Sequence, residues 1–194
     1  MTVVNLQVKS SYTLLESPIK VKDLVQQAAE MNYSAIALTD HNVLYGAVEF
    51  YQAAKKYGIQ PIIGLTLDAE GFTNASVTYP LILLAKDFRG YQALIKLSSY
   101  QRKAQEAVSL ERIKELSSSL IVIVPTLQSE LHQLYLGHKE EAIRELVADI
   151  AAQFPDSFLG ISPEQEHTFV QLLEAAGGEL VALGDVQYLK AEDA

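Results

Sequence analysis

Short apolar runs alternate with helical stripes along the chain, and this alternation predicts the elements of the fold. Several of the apolar runs are continuous, which is typical of strands buried on both faces. The runs predict seven strands: Val3–Val8, Ser34–Thr39, Ile59–Leu67, Val77–Ala85, Leu120–Val124, Ser157–Ile161 and Glu179–Leu183.

Between the strands, apolar residues recur at the three- and four-residue spacing of amphipathic helices. Ser17 and Pro18 predict the cap and the first position of the first helix. Glycines at 58, 137 and 177 are placed to end three others. The stripes predict seven helices: Val21–Ala29, Ala47–Ala54, Tyr91–Ser98, Leu110–Leu116, Leu131–Tyr135, Ile143–Phe154 and Phe169–Ala176.

Repeated strand–helix units predict an α/β fold with a parallel sheet covered by helices. A (β/α) barrel and an open doubly wound sheet both fit about seven strands, and periodicity does not choose between them. No linker interrupts residues 1–194, so a single domain is the simplest interpretation; the least patterned stretch is the polar loop Glu70–Ser76. Because Ala191–Ala194 resembles the start of another helix, we expect the chain to be part of something longer.

The composition narrows the chemistry. The 194 residues include no Cys, which excludes disulfide scaffolds, thiolate zinc sites and cysteine nucleophiles. The apolar runs are short and no signal pattern is present, so we expect a cytoplasmic chain with no membrane partner. Residues 1–110 hold 10 basic and 9 acidic residues, whereas residues 111–194 hold 5 and 15. The acidic second half indicates either solvated helix faces or a surface that docks on a basic partner.

Candidate catalytic groups are those that follow the predicted strands, since parallel barrels carry their sites at the carboxyl ends of strands. Asp40 and His41 follow the second strand and could form a general base with its orienting carboxylate. The other three histidines, His132, His138 and His167, lie on or beside helices and are expected at the surface. No nucleotide-binding, nucleophile-elbow or zinc-protease motif is present, and residue spacing alone leads no further than a barrel with few site residues.

Longer blocks of sequence carry a family resemblance. The stretch 34–64, SAIALTDHNVLYGAVEFYQAAKKYGIQPIIG, resembles the PHP (polymerase and histidinol phosphatase) domain at the start of bacterial DNA polymerase III alpha subunits. The blocks SYTLLESP at 11–18, LILLAKDFRGYQALIKLSS at 81–99 and DVQYLKAEDA at 185–194 agree in order and spacing. The resemblance implies a distorted (β/α)7 TIM-like barrel. In active members a metal cluster at its rim supports phosphoester hydrolysis or proofreading exonuclease activity.

The resemblance also assigns the positions of the family's metal ligands. His41, Asp185 and Glu16 are the residues there that can still bind a metal, and Asp40 precedes His41 in the family's Asp-His pair. The other ligand positions carry side chains that cannot act as metal ligands in the usual way: Gln7, Lys9, Thr66, Pro80, Thr126 and Gln187. We therefore expect a vestigial site without metal or catalysis.

Lys9 and Asp185 both fall on ligand positions of one cluster. The Lys9 ammonium either replaces part of the metal as an ion pair with Asp185 or points into solvent. The resemblance thus implies a structural domain within a DNA-directed DNA polymerase, a nucleotidyltransferase that needs divalent metal such as Mg²⁺ in a catalytic domain outside this chain.

Two other functions stay open from the sequence. The first is an active metal-dependent phosphoesterase or 3′–5′ proofreading exonuclease that uses a rearranged ligand set. The second is a stand-alone anion-binding module with Lys9 as its charge. For the structural domain, the expected partners are the remainder of the polymerase chain and other replication proteins, with DNA held mainly by other domains.

Overall fold

A computed structural model describes residues 4–189. Seven α-helices occur in this range, each at a predicted stripe. None of them combines the length and the apolar character that crossing a bilayer requires. The helices are α1 (Val21–Glu30), α2 (Ala47–Tyr57), α3 (Phe88–Ala104), α4 (Leu110–Leu116), α5 (Glu130–Leu136), α6 (Glu140–Gln153) and α7 (His167–Ala175).

The predicted cap of α1 is wrong. The helix begins at Val21 with Lys20 as its N-cap residue, which makes no side-chain cap. The Ser17 hydroxyl instead lies 2.9 Å from the carbonyl oxygens of both Lys9 and Gln187. Ser17 therefore joins two distant segments of the chain rather than capping a helix. The predicted glycine stop of α2 is confirmed, since Gly58 adopts the left-handed conformation with φ 72°.

Six strands lie side by side in chain order, and the predicted parallel sheet is wrong at the third. β2 pairs antiparallel with β3 over seven residue pairs, and β3 pairs antiparallel with β4. The reason is the short connection at residues 71–77, which has room for a hairpin turn but none for a crossover helix. The strands are β1 (Ala35–Leu38), β2 (Gln60–Glu70), β3 (Thr78–Ala85), β4 (Leu120–Pro125), β5 (Ser157–Ile161) and β6 (Leu180–Ala182).

The predicted first strand closes the ring, but it is far less regular than expected. The Thr39 amide donates to the Val8 carbonyl at 2.8 Å, and the Lys9 amide donates to the Val186 carbonyl at 3.0 Å. Of residues 4–8, only Val8 forms a β-bridge, with Val186. This segment therefore lies between β1 and the residues that follow β6, which excludes the open sheet and confirms a distorted seven-membered barrel. Val3 and the predicted helix at Ala191–Ala194 lie outside the described residues.

Three apolar clusters hold the fold together. One small cluster draws on β1, β3, β4 and the residue after β6, and it fills the inner face of the curled sheet: Ala37, Ile82, Leu84, Ile123 and Leu183. The other two pack helices against the outside of the barrel. Because Thr66 and Asp68 alternate with Leu65 and Leu67 along β2, their side chains leave the outer core and face the opposite side of the strand.

Candidate functional site

A row of five ionisable side chains crosses the rim of the barrel where β1, β6 and the closing segment end. His41 follows β1 and bridges Thr66 of β2. Consecutive members of the row lie within 3.2 Å of each other, so the row forms one connected network: Asp185, Lys9, Glu16, His41 and Asp68.

Lys9 joins residues that are distant in the sequence within this network. Its Nζ atom lies 2.9 Å from Glu16 Oε2 and 3.2 Å from Asp185 Oδ2, and the residue is 8% exposed. Burial lowers the pKa of Lys9, but hydrogen bonds and charges from both carboxylates outweigh it and leave the pKa raised. Lys9 is therefore a fixed cation. The contact with Asp185 is the one that the ion-pair hypothesis requires, and Glu16 is a closer partner that the hypothesis did not specify.

Gln187 completes this end of the row. Its Nε2 atom donates to Asp185 Oδ2 at 2.8 Å, the same oxygen that Lys9 contacts. An amide and an ammonium thus both donate to one carboxylate. Gln187 therefore helps to hold the Asp185 side chain in place.

His41 lies between two carboxylates. Its Nδ1 atom is 3.1 Å from Glu16 Oε1 and its Nε2 atom is 2.9 Å from Asp68 Oδ1. A neutral imidazole has one N–H, so only the imidazolium donates to both carboxylates. The hydrogen bond to Asp68 is the main reason that the pKa of His41 is raised. The same bond lowers the pKa of Asp68, and contacts with Lys9 and His41 outweigh burial to lower that of Glu16.

Asp68 is a functional residue that sequence reasoning missed as a partner of His41. It lies within β2 rather than after it, because β2 continues to Glu70 in the hairpin with β3. Asn42 holds it from the other side: Asn42 Nδ2 donates to Asp68 Oδ2 at 2.7 Å, and the Asp68 amide donates to Asn42 Oδ1 at 3.0 Å. The two-residue spacing from Thr66 was the available signal, since both side chains then share one face of β2.

Asp40 does not orient His41 as a general base. Its carboxylate accepts hydrogen bonds from the Ser10 amide at 2.7 Å and from Thr13 Oγ1 at 2.8 Å. Thr13 Oγ1 in turn accepts from the His41 amide at 3.0 Å. Burial raises the pKa of Asp40, and the hydrogen bonds from Ser10 and Thr13 oppose that rise. Asp40 therefore anchors the loop that precedes α1.

The remaining predicted positions do not converge on the network as ligands. Thr66 Oγ1 donates to the Thr39 carbonyl at 2.9 Å, and Pro80 faces Asp68 in the β2–β3 register. Thr126 is fully buried and donates to the Gly160 carbonyl at 2.7 Å. Gln7 is 4% exposed and lines a cavity of about 200 Å³ together with Thr126 and Asp185.

Of the other histidines, His138 and His167 are exposed as predicted. His132 is partly buried instead, with its ring 5.9 Å from that of Phe169. Within residues 4–189, no group of three or more His, Asp or Glu side chains is arranged to hold a metal ion. Two members of the network are poor metal ligands: the Lys9 ammonium offers no lone pair to a cation, and neither does His41 in its imidazolium form.

Comparison with known protein families identifies the family to which this barrel belongs. Residues 5–162 match the PHP domain family. The chain belongs to this family. It is 36% identical over 203 residues to a DNA polymerase III subunit alpha of Bacillus subtilis and 30% identical over 220 residues to that of Aquifex aeolicus. These alignments cover 100% and 98% of the chain but 18% of each relative, so the PHP chain spans less than a fifth of their length.

Two solved structures show the same fold. An amidohydrolase from Chromobacterium violaceum, with bound sulfate and no metal, has a TM-score of 0.67 at 14% identity. The match covers 98% of the PHP chain and 89% of that structure. A two-domain protein from Bacteroides vulgatus that contains a predicted PHP-like metal-dependent phosphoesterase has a TM-score of 0.53 at 11% identity. Here 95% of the PHP chain and 51% of the other chain are covered.

Proposed function

We propose that this chain is a metal-depleted, structural PHP domain of a bacterial replicative DNA polymerase III alpha subunit. In this role the barrel supports the polymerase module and does not itself catalyse. The observation that carries the proposal is the position of two side-chain cations, Lys9 and His41, among the three carboxylates of the rim network. The length of the matched polymerase subunits supports the assignment to a larger polypeptide.

The electrostatics of the rim disfavour a divalent ion. Glu16 contacts both Lys9 and His41, and Asp68 and Asp185 each contact one of them. A metal ion would have to displace these cations from partly buried carboxylates and would be repelled by the positive charges left nearby. The uncharged side chains at the other ligand positions are weak substitutes for the imidazoles and carboxylates of a hydrolytic centre. They are the amides of Gln7 and Gln187, the hydroxyls of Thr66 and Thr126, and the ring of Pro80.

The same contacts disfavour an anion site on Lys9. The Lys9 ammonium is almost fully buried and already faces two carboxylates, so a phosphate approaching it would meet net negative charge. Under this proposal, polymerase activity, its divalent metal ions and the main grip on DNA belong to other parts of the polypeptide. The partners of this barrel are the remainder of the polymerase chain and other replication proteins.

Metal analysis of the purified protein tests the proposal. After incubation with Zn²⁺, Mn²⁺ or Fe²⁺ and removal of free ions, we expect metal at background level. We also expect no hydrolysis of a chromogenic phosphate ester or of a labelled DNA 3′ end above a protein-free control. A stoichiometric metal together with hydrolysis that a chelator abolishes would instead establish the active phosphoesterase or exonuclease. Bound metal without hydrolysis would contradict the proposed loss of metal binding but would be compatible with the structural role.

A further inference from the structure

Two leucines lie at the tip of the loop that precedes α1. Leu14 is 81% exposed and Leu15 is fully exposed, so neither belongs to any of the three cores. We call Leu14 and Leu15 the leucine tip. Scattered single exposed leucines are ordinary, but two adjacent ones at a loop tip form a projecting apolar group.

The loop beneath the leucine tip is held on both sides. On the N-terminal side, Thr13 Oγ1 donates to Asp40 and accepts from the His41 amide. On the C-terminal side, Glu16 contacts Lys9 and His41. These anchors are buried or partly buried, so the tip is displayed on a fixed base. An apolar group that is ordered before binding loses less conformational entropy when it docks.

The backbone at Leu15 is in the left-handed region, with φ 67°. A residue with a Cβ pays steric strain there, and Gly or Asn fits the conformation better. Strain of this kind persists where surrounding contacts impose it, and it is concentrated at functional segments. The local fold thus presents a large apolar side chain at a position where a small or polar residue would suit the fold itself better.

The loop that carries the leucine tip also contacts the segment that follows β6. The Ser17 hydroxyl, two residues from Leu15, is 2.9 Å from the Gln187 carbonyl oxygen. The relatives that the chain matches are more than five times its length, so most of their polypeptide lies outside the region described.

We infer that the leucine tip docks into an apolar pocket on the remainder of the same polymerase polypeptide. This inference rests on the proposed function and specifies the contact through which the barrel supports its neighbour. Tyr12, in the same loop as the tip, lies against Gly46.

Cysteine alkylation in the full-length polymerase chain tests this contact. The 194 residues hold no native Cys, so Leu15→Cys introduces a single thiol into the domain, and its peptide is quantified by mass spectrometry. Leu136→Cys on α5 is the matched control, because Leu136 is 58% exposed in the barrel and Leu15 is fully exposed. A free tip predicts faster alkylation at Leu15→Cys than at Leu136→Cys, whereas docking predicts the reverse order by at least tenfold.

Each other outcome overturns the inference. Rapid alkylation of Leu15→Cys in the full-length chain, with slowing only when a separate replication protein is added, would assign the tip to that protein. Slow alkylation that becomes fast on dilution would assign it to a second copy. Either result leaves the metal analysis, and with it the proposed function, unaffected.

A substitution that suits the backbone provides a second readout. Leu15→Asn fits the left-handed conformation, so we expect the barrel's own thermal unfolding temperature to be unchanged or raised. In the full-length chain we expect increased hydrogen exchange in the segment that forms the pocket. A lower unfolding temperature of the barrel itself, with no change of exchange elsewhere, would show that Leu15 serves its own domain and would contradict the docking contact.

Discussion

The Nε2 atom of His41 lies 2.9 Å from Oδ1 of Asp68, and this contact ties the residues that follow β1 to the C-terminal part of β2. It places the His41 ring beside a carboxylate that Asn42 contacts from the other side. The pH dependence of stability follows from it.

We expect the free energy of unfolding to fall as the pH rises above about 6.5, the ordinary pKa of histidine. The pKa of His41 is raised in the folded protein, so the contribution of His41 is complete below 6.5 and disappears as the pH passes the raised value. Urea unfolding at several pH values measures this slope. His41→Gln should remove it, whereas His138→Gln at an exposed position should leave it unchanged.

The carboxylates give the opposite slope on the acid side. The pKa values of Glu16 and Asp68 are lowered from 4.5 and 3.8, so their contribution is present above these values and is lost as the pH falls through the lowered ones. We expect Asp68→Asn to reduce this acid-side loss of the free energy of unfolding. An unchanged acid limb in that variant would show that Asp68 is not paired with His41 in solution.

Lys9→Met should lower the free energy of unfolding by about 1–3 kcal/mol, because it removes the lysine that Asp185 contacts and one of the two basic partners of Glu16 in a partly buried site. Lys20→Met at an exposed position is the control and should change stability by less than about 0.5 kcal/mol. Equal effects of the two substitutions would contradict a role for Lys9 in joining the rim.

Glu130→Ala should loosen the hairpin loop between β2 and β3. The buried Glu130 carboxylate accepts hydrogen bonds from the Phe72 amide, the Thr73 amide and Thr73 Oγ1 at distances of 2.7–3.2 Å. Removing it leaves these donors without their partner, at a cost of about 2 kcal/mol. Hydrogen exchange of residues 71–77 should accelerate in Glu130→Ala and stay unchanged in Glu141→Ala, whose side chain is exposed.

Gly90→Ala should destabilise the start of α3 by about 2–4 kcal/mol. A Cβ atom at Gly90 would overlap the Ser119 carbonyl oxygen, which is backbone and has little freedom to move. Gly137→Ala is the matched control, since the nearest atom to its Cβ would be 3.4 Å away and its φ is −84°. The thermal unfolding temperature of Gly90→Ala should therefore be clearly lower than that of Gly137→Ala.

Residue spacing predicted the helices well because each buries an apolar stripe, which leaves a direct record in the sequence. Strand direction leaves no such record. The antiparallel β3 was therefore missed, although the seven residues between β2 and β3 are too few for a crossover helix. The predicted first strand is less regular than its apolar run suggests, because among residues 4–8 only Val8 forms a β-bridge.

The site was predicted in part. The positions of Lys9, Glu16, His41 and Asp185 come from the family resemblance, and the structure brings these four residues into one network. Asp68 was missed as a partner because its role depends on which face of β2 meets the ring of His41. Ser17 was assigned to a helix cap because a serine before a proline has that local use, whereas its bonds to distant carbonyls are tertiary.

The pairing of Val8 with Val186 has a consequence for how the domain forms. Lys9 and Asp185 are 176 residues apart in sequence, so the ring closes through contacts of high contact order, which fold slowly. During synthesis the barrel cannot close until residue 187 has left the ribosome. The earlier helices and the β2–β3 hairpin are held by contacts closer in sequence and can form before that point. We therefore expect the assembly of the rim network to be a late step of folding.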